Sequence, residues 1–199
     1  MKSGHLGVLI LAGIVSACGS SPPTHFYTLS TQPAPNTAGQ LGYPMRTVAL
    51  GEVKLPDALD RPQIARQIGP NQLEFAETDR WAGPLDDMTR RVLAADLRPL
   101  LPAGTALVTN DSSTPAQTTV AVEVSRFDAD KSGRVTLDAN WETLDKNAKV
   151  VGAPRQARIV EPGSGSDSAA VAATMSRAVA GLADNIAGGL GGGSIASMR

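Results

Sequence analysis

The stretch TTVAVEVSRFDADKSGRVTLDANWETLD (118–145) decides the fold. Its first half alternates through Val120, Val122 and Val124, and its second through Val135, Leu137, Ala139 and Trp141. Side chains in a strand point to opposite faces in turn, so each half reads as a strand with one covered face. Lys131-Ser132-Gly133 joins them as a tight turn, which makes the pair a hairpin. VVGAPRQARIV, after Lys146-Asn147, adds a third strand to this meander. A sheet with one apolar face needs a cover, and the rest of the chain has to supply it.

Two segments do so. Pro84 to Leu97 places Leu85, Met88, Val92 and Leu93 on one helical face, with Pro84, Asp86 and Asp87 suited to its first turn and Pro99 after its end. Arg90, Arg91 and Asp96 complete a surface that reads as solvated. SDSAAVAATMSRAVAGLADNIAGGL (166–190) carries the stripe Val171, Met175, Val179, Leu182 and Ile186. Ser166 or Ser168 is expected to cap that second helix, and Gly188-Gly189 to end it. Shorter strands are expected at HFYTLS (25–30), RTVALGEVKL (46–55) and ALVTN (106–110). QIARQIG (63–69) and QLEFAE (72–77) flank Gly69-Pro70-Asn71 as a further hairpin. The expected fold is one α+β domain, a mostly antiparallel sheet with two amphipathic helices packed on one side.

The start of the chain has a different character. After Lys2, the residues Leu6 to Ala17 are uncharged, and at about 1.5 Å per residue they reach only ~18 Å. That is too short to span a ~30 Å hydrocarbon core and suits the apolar region of an export signal. It ends in Val15-Ser16-Ala17, and directly after stands Cys18, the only cysteine. A lone cysteine makes no internal disulfide. At this junction it resembles a bacterial lipobox, in which the thiol takes a diacylglycerol and becomes the new N-terminus; a thiolate is the natural nucleophile for that step. Residue 19 is glycine rather than aspartate, which by analogy with enteric lipoproteins favours the inner leaflet of the outer membrane. The expected organisation is a signal peptide at 1–17, a lipidated tether at 18–24, a domain at 25–190 and a Gly-rich tail at 191–199.

Composition narrows the functional classes. Without the first 17 residues the chain keeps 17 Lys+Arg against 19 Asp+Glu, because Lys2 is the only charge removed. No basic stripe for nucleic acid results. His25 is the one histidine left, no G-x-S-x-G elbow is present, and no His, Cys or carboxylate cluster has metal-ligand spacing. The Gly-rich run 188–193 follows a helix instead of leading into one, so it is no phosphate cradle. No catalytic residue, metal or cofactor is expected beyond the lipid on Cys18.

FYTL (26–29), LPDALDRPQI (55–64) and RWAGPL (80–85), together with the lipobox, resemble the lipoprotein family of paraquat-inducible protein C and YmbA. The likeness extends from Cys18 to the last helix. It implies a non-catalytic auxiliary lipoprotein of an MCE-type ABC transport system, facing the periplasm from the outer membrane. It also implies an MCE-domain partner reaching across from the inner membrane, lipid traffic between the membranes, and a homo-oligomeric ring. A lipid-anchored periplasmic hydrolase and a chaperone lipoprotein of an outer-membrane assembly are the competing classes. Within the motifs, Phe26, Tyr27, Asp60, Arg61, Pro62, Gln63, Arg80, Trp81 and Pro84 are candidate interface or structural residues. Two accounts of them stay open. In one, Trp81 covers the sheet while Arg61 and Arg80 pair with Asp60, Glu77 or Asp79. In the other, Arg61 and Trp81 belong to a protein interface, where both residue types are enriched. Phe26 and Tyr27, being adjacent, must face opposite sides of their strand.

Overall fold

The computed structural model describes residues 22–32, 46–101, 103–108 and 115–192. The signal segment, Cys18 and residues 193–199 lie outside the described residues. Eight strands form one sheet: β1 (His25–Tyr27), β2 (Arg46–Lys54), β3 (Gln63–Gly69), β4 (Gln72–Trp81), β5 (Thr105–Val108), β6 (Thr118–Asp130), β7 (Val135–Asp145) and β8 (Arg155–Glu161). Helices α1 (Leu85–Leu97) and α2 (Ser168–Gly192) pack against each other; α1 lies on β2, and α2 lies on β8, β7, β6 and β1.

The long hairpin β6–β7 is the spine, with β8 continuing it antiparallel. Its turn closes through Gly133, whose φ of +80° is a left-handed conformation open to glycine. Val120, Val122, Val124, Leu137, Ala139 and Trp141 are all buried, as the alternation requires. The expectation of a mostly antiparallel sheet does not hold. β1–β4, β2–β5, β2–β6 and β3–β6 are parallel, against three antiparallel pairs, so the sheet is mixed. A hairpin announces itself by a local turn, whereas parallel neighbours are joined through distant crossovers and leave no such local mark.

One consequence of the mixed topology gives LPDALDRPQI its place. β2 and β3 run in line along the same edge of β6, pairing Lys54 with Glu123 and Arg66 with Ala129. Twelve steps from β2 into β3 therefore face six along β6, and the surplus is extruded. Asp57–Leu59 forms a 3₁₀ turn and Asp60, Arg61 and Pro62 bring the chain back to the sheet. The backbone N–H of Trp81 donates to the Pro62 carbonyl at 2.6 Å, which locks the return.

The stripe Val171, Met175, Val179, Leu182 and Ile186 is buried, as are Leu85, Met88, Val92 and Leu93. Two expectations about the second helix fail. Its cap is Asp167, whose side chain accepts the Ala170 N–H at 2.9 Å and whose carbonyl accepts the Val171 N–H at 3.0 Å. Nor do Gly188 and Gly189 end it, since the helix continues to Gly192. A Cβ on Gly189 would stand 2.5 Å from Trp141 Cζ2, so this glycine makes room for the indole, whose Nε1–H donates to Asn185 Oδ1 at 2.9 Å.

Asp96 is a further correction, because it is buried rather than solvated. Residues 28–32 run as a strap onto the helix pair. Leu29 is buried, the Ser30 N–H donates to Ser176 Oγ at 3.1 Å, and the Gln32 N–H donates to Asp96 Oδ1 at 3.0 Å. Asp96 Oδ2 is buried with no partner among the described residues. Burial pushes its carboxyl above the usual range, with Asp184 adding to the rise and the Gln32 amide opposing it. A raised folded value means that Asp96 favours the fold at acid pH and loses that contribution as pH rises through it. Asp96→Asn, which keeps an oxygen for Gln32, is therefore expected to melt higher than wild type at pH 7.5 and to lose this advantage by pH 4. Thermal melts across that range check it, and a lower melting temperature for the variant at pH 7.5 would contradict it.

Candidate docking patch at the first strand

β1 is an edge strand that adds to β4 in parallel, pairing His25 with Asp79, Phe26 with Arg80 and Tyr27 with Trp81. Residues opposite one another share a sheet face. Tyr27 and Trp81 point to the helix side, where Trp81 is buried and Tyr27 packs against the core. Phe26 and Arg80 point the other way. Gln63 lies opposite Arg80, and two residues on, Ala65 lies opposite Phe75, so all of these share the helix-free face. The Arg61 guanidinium, delivered by the extruded turn, sits 4.5 Å from the Phe75 ring centroid. Phe26 is 67 % exposed, and Asp60, Arg61, Pro62 and Pro84 are exposed as well.

The candidate residues thus divide by face. Phe26, Gln63, Arg80 and Arg61 over Phe75 come together on the open side, while Trp81 and Tyr27 serve the covered side. Pro84 stands apart, at the N-cap position of α1. The expected carboxylate partners of Arg61 and Arg80 do not appear: among the described residues neither guanidinium takes part in an ion pair. Arg80 Nε is buried with no hydrogen-bond partner among them. Phe75 was not singled out from the sequence. Only a cross-strand register places it under Arg61, and its neighbours in QLEFAE give no such signal.

On the helix side of the same strand pair lies a polar cluster. His25 Nδ1 is 3.2 Å from Asp79 Oδ1, and Arg66 Nη2 donates to Ser168 Oγ at 3.2 Å. The Ser168 hydroxyl hydrogen bond is the chief reason why the Asp79 carboxyl is held below its usual range, and His25 and Arg66 act in the same direction. The Tyr27 phenol is pushed up, first by loss of water and then by the Asp79 charge. A serine, a histidine and an aspartate therefore meet, but with the carboxylate in the middle. Activating a serine needs the imidazole between hydroxyl and carboxylate. This order holds β1 to β4 and α2 without preparing a nucleophile.

No helix among the described residues is long and apolar enough to cross a membrane. Residues 27–187 match the family of the ABC-type transport auxiliary lipoprotein component. The chain belongs to that family. The match begins within β1 and ends inside α2, so this auxiliary lipoprotein domain includes the extruded turn, the strap, α1 and most of α2. The intermembrane transport lipoproteins PqiC of Escherichia coli K12 and Shigella flexneri are 27 % identical to this auxiliary lipoprotein over 122 residues. That alignment covers 61 % of this chain and 64 % of those proteins, so less than two thirds of their length is matched. Among solved structures, an uncharacterized protein superposes with a TM-score of 0.69 at 20 % identity, covering 85 % of this chain and 99 % of its own. A Xanthomonas campestris protein superposes with a TM-score of 0.68 at 23 % identity, covering 87 % and 99 %. These two likenesses speak to the fold.

Proposed function

We propose that this auxiliary lipoprotein is a non-catalytic subunit of an MCE-type ABC transport system. It is anchored through Cys18 in the inner leaflet of the outer membrane and faces the periplasm. There it docks, as a homo-oligomeric ring, with an MCE-domain protein reaching from the inner membrane, supporting lipid movement between the membranes and envelope integrity. Family membership across nearly the whole folded domain carries this reading. The name of the PqiC relatives supports its intermembrane part, and the lipobox at Cys18 supports the anchor. The His25–Asp79–Ser168 order supports the non-catalytic part. Neither the hydrolase nor the chaperone class is favoured by these matches.

Affinity purification of the tagged full-length protein from detergent-solubilised envelopes tests the partner. Mass spectrometry is expected to recover an MCE-domain protein as the leading co-purifying species. Recovery of a secretin or β-barrel machine in its place would overturn the proposal.

A further inference from the structure

The reach from Cys18 to Phe26 is short. Eight Cα steps span at most roughly 26–29 Å when fully extended. The 25 residues of α2 alone extend about 37 Å. That helix starts beside Asp79, at Ser168, and its last turns, at Gly189, lie beside Trp141. A lipid on Cys18 therefore keeps the β1 end within reach of the headgroups in every orientation, while the Trp141 end is free to stand away. Phe26, on that near end, is the most exposed of the large apolar side chains among the described residues. On the same face stand Arg80, its cross-strand neighbour, and Arg61 over Phe75, neither in an ion pair among the described residues. The nearby acids do not pair with them. Asp79 points to the helix side and is engaged by Ser168 and His25, and the exposed Asp60 and Glu77 make no described salt bridge to either arginine.

We infer that the helix-free face at β1 is a second contact with the phospholipid layer that holds the anchor, with Phe26 entering the interface and Arg61 and Arg80 meeting lipid phosphates. Aromatic side chains settle at the level of the headgroups, and a guanidinium binds phosphate in a geometry that a carboxylate-paired arginine has already given up. One protruding phenylalanine on a face with two guanidiniums is smaller than the apolar core that a stable protein interface buries. It suits a surface that needs only to be touched. The anchor supplies attachment and makes the second contact intramolecular, so a weak patch is enough to set orientation. The inference rests on the anchor proposed at Cys18.

Because lipidation consumes the only cysteine, a new one can be labelled alone. Full-length Phe26→Cys and Val151→Cys would be purified in lipidated form, labelled with an environment-sensitive fluorophore, and reconstituted into vesicles of phosphatidylethanolamine and phosphatidylglycerol. Val151 is exposed at the other end of the molecule, where its N–H donates to the Thr143 carbonyl. The label at 26 is expected to shift to the blue and to lose emission to headgroup nitroxide lipids, and the label at 151 to do neither. Arg61→Glu in the Phe26→Cys background should return the label towards water. Vesicle-bound, lipidated protein with equal, water-like labels at both positions would overturn the inference and leave the anchor standing. Shielding at 26 that arises only on adding the MCE-domain partner would overturn it in favour of a protein contact. Absence of the lipid mass on Cys18 would remove the anchor, and the inference with it.

Discussion

Trp81→Ala is expected to destabilise the domain by about 3–5 kcal/mol, the usual result of deleting a buried aromatic side chain. Trp81 is 4 % exposed and belongs to the single core cluster shared by both helices and the sheet. A domain of this size has about 5–15 kcal/mol in all, so the loss is a large fraction and lowers the melting temperature by roughly 6–20 °C. Arg61→Ala is the contrasting case. Its guanidinium is exposed over Phe75, and removing such a contact costs about 0.5–1 kcal/mol. Thermal melts of the two variants beside wild type decide between the accounts of these motif residues. An unchanged melt for Trp81→Ala would contradict the core placement.

Cys18→Ser is expected to abolish membrane attachment. A hydroxyl lacks the nucleophilicity of a thiolate for the lipidation step. Without acyl chains, each worth about 0.8 kcal/mol per buried CH₂, no other anchor is available in the proposed scheme. The folded domain begins seven residues later at β1, so the variant should stay folded while its envelope partition is lost. Labelling with a fatty-acid analogue and sedimentation of membranes read both effects. Equal label in variant and wild type would remove the lipoprotein assignment of this residue.

Both helices, their buried faces and the β6–β7 hairpin were legible in the sequence because each writes its geometry locally. Val120, Val122 and Val124 alternate, and Val171, Met175, Val179, Leu182 and Ile186 recur at helical spacing. The parallel pairings were not legible. Nothing near Val48 names Thr118 as its partner seventy residues on. The extruded turn could be recognised as a turn, but its meaning as an interruption between two in-line strands depends on that same distant register. The burial of Asp96 is not legible, because a carboxylate between arginine-rich turns reads as wet and the strap that reaches it belongs to another part of the chain. At the candidate patch, the opposite facing of Phe26 and Tyr27 followed from strand alternation alone. The stacking of Arg61 on Phe75 required a fold.

The strap has a mechanical meaning for a tethered protein. In the proposed scheme, tension on the anchor enters the domain through β1 and its parallel pairing with β4. A pull along the strand axis loads those hydrogen bonds together in shear instead of peeling them one at a time. Should they yield, the next resistance along the chain is Leu29 in the core, then Ser30 on Ser176, then Gln32 on Asp96. Behind β1 the strap thus leads into the joint between the two helices, through Ser176 on α2 and Asp96 on α1. In the proposed scheme a tug on the lipid is borne first by the β1–β4 edge of the sheet, and the joint between the two helices is the reserve behind it.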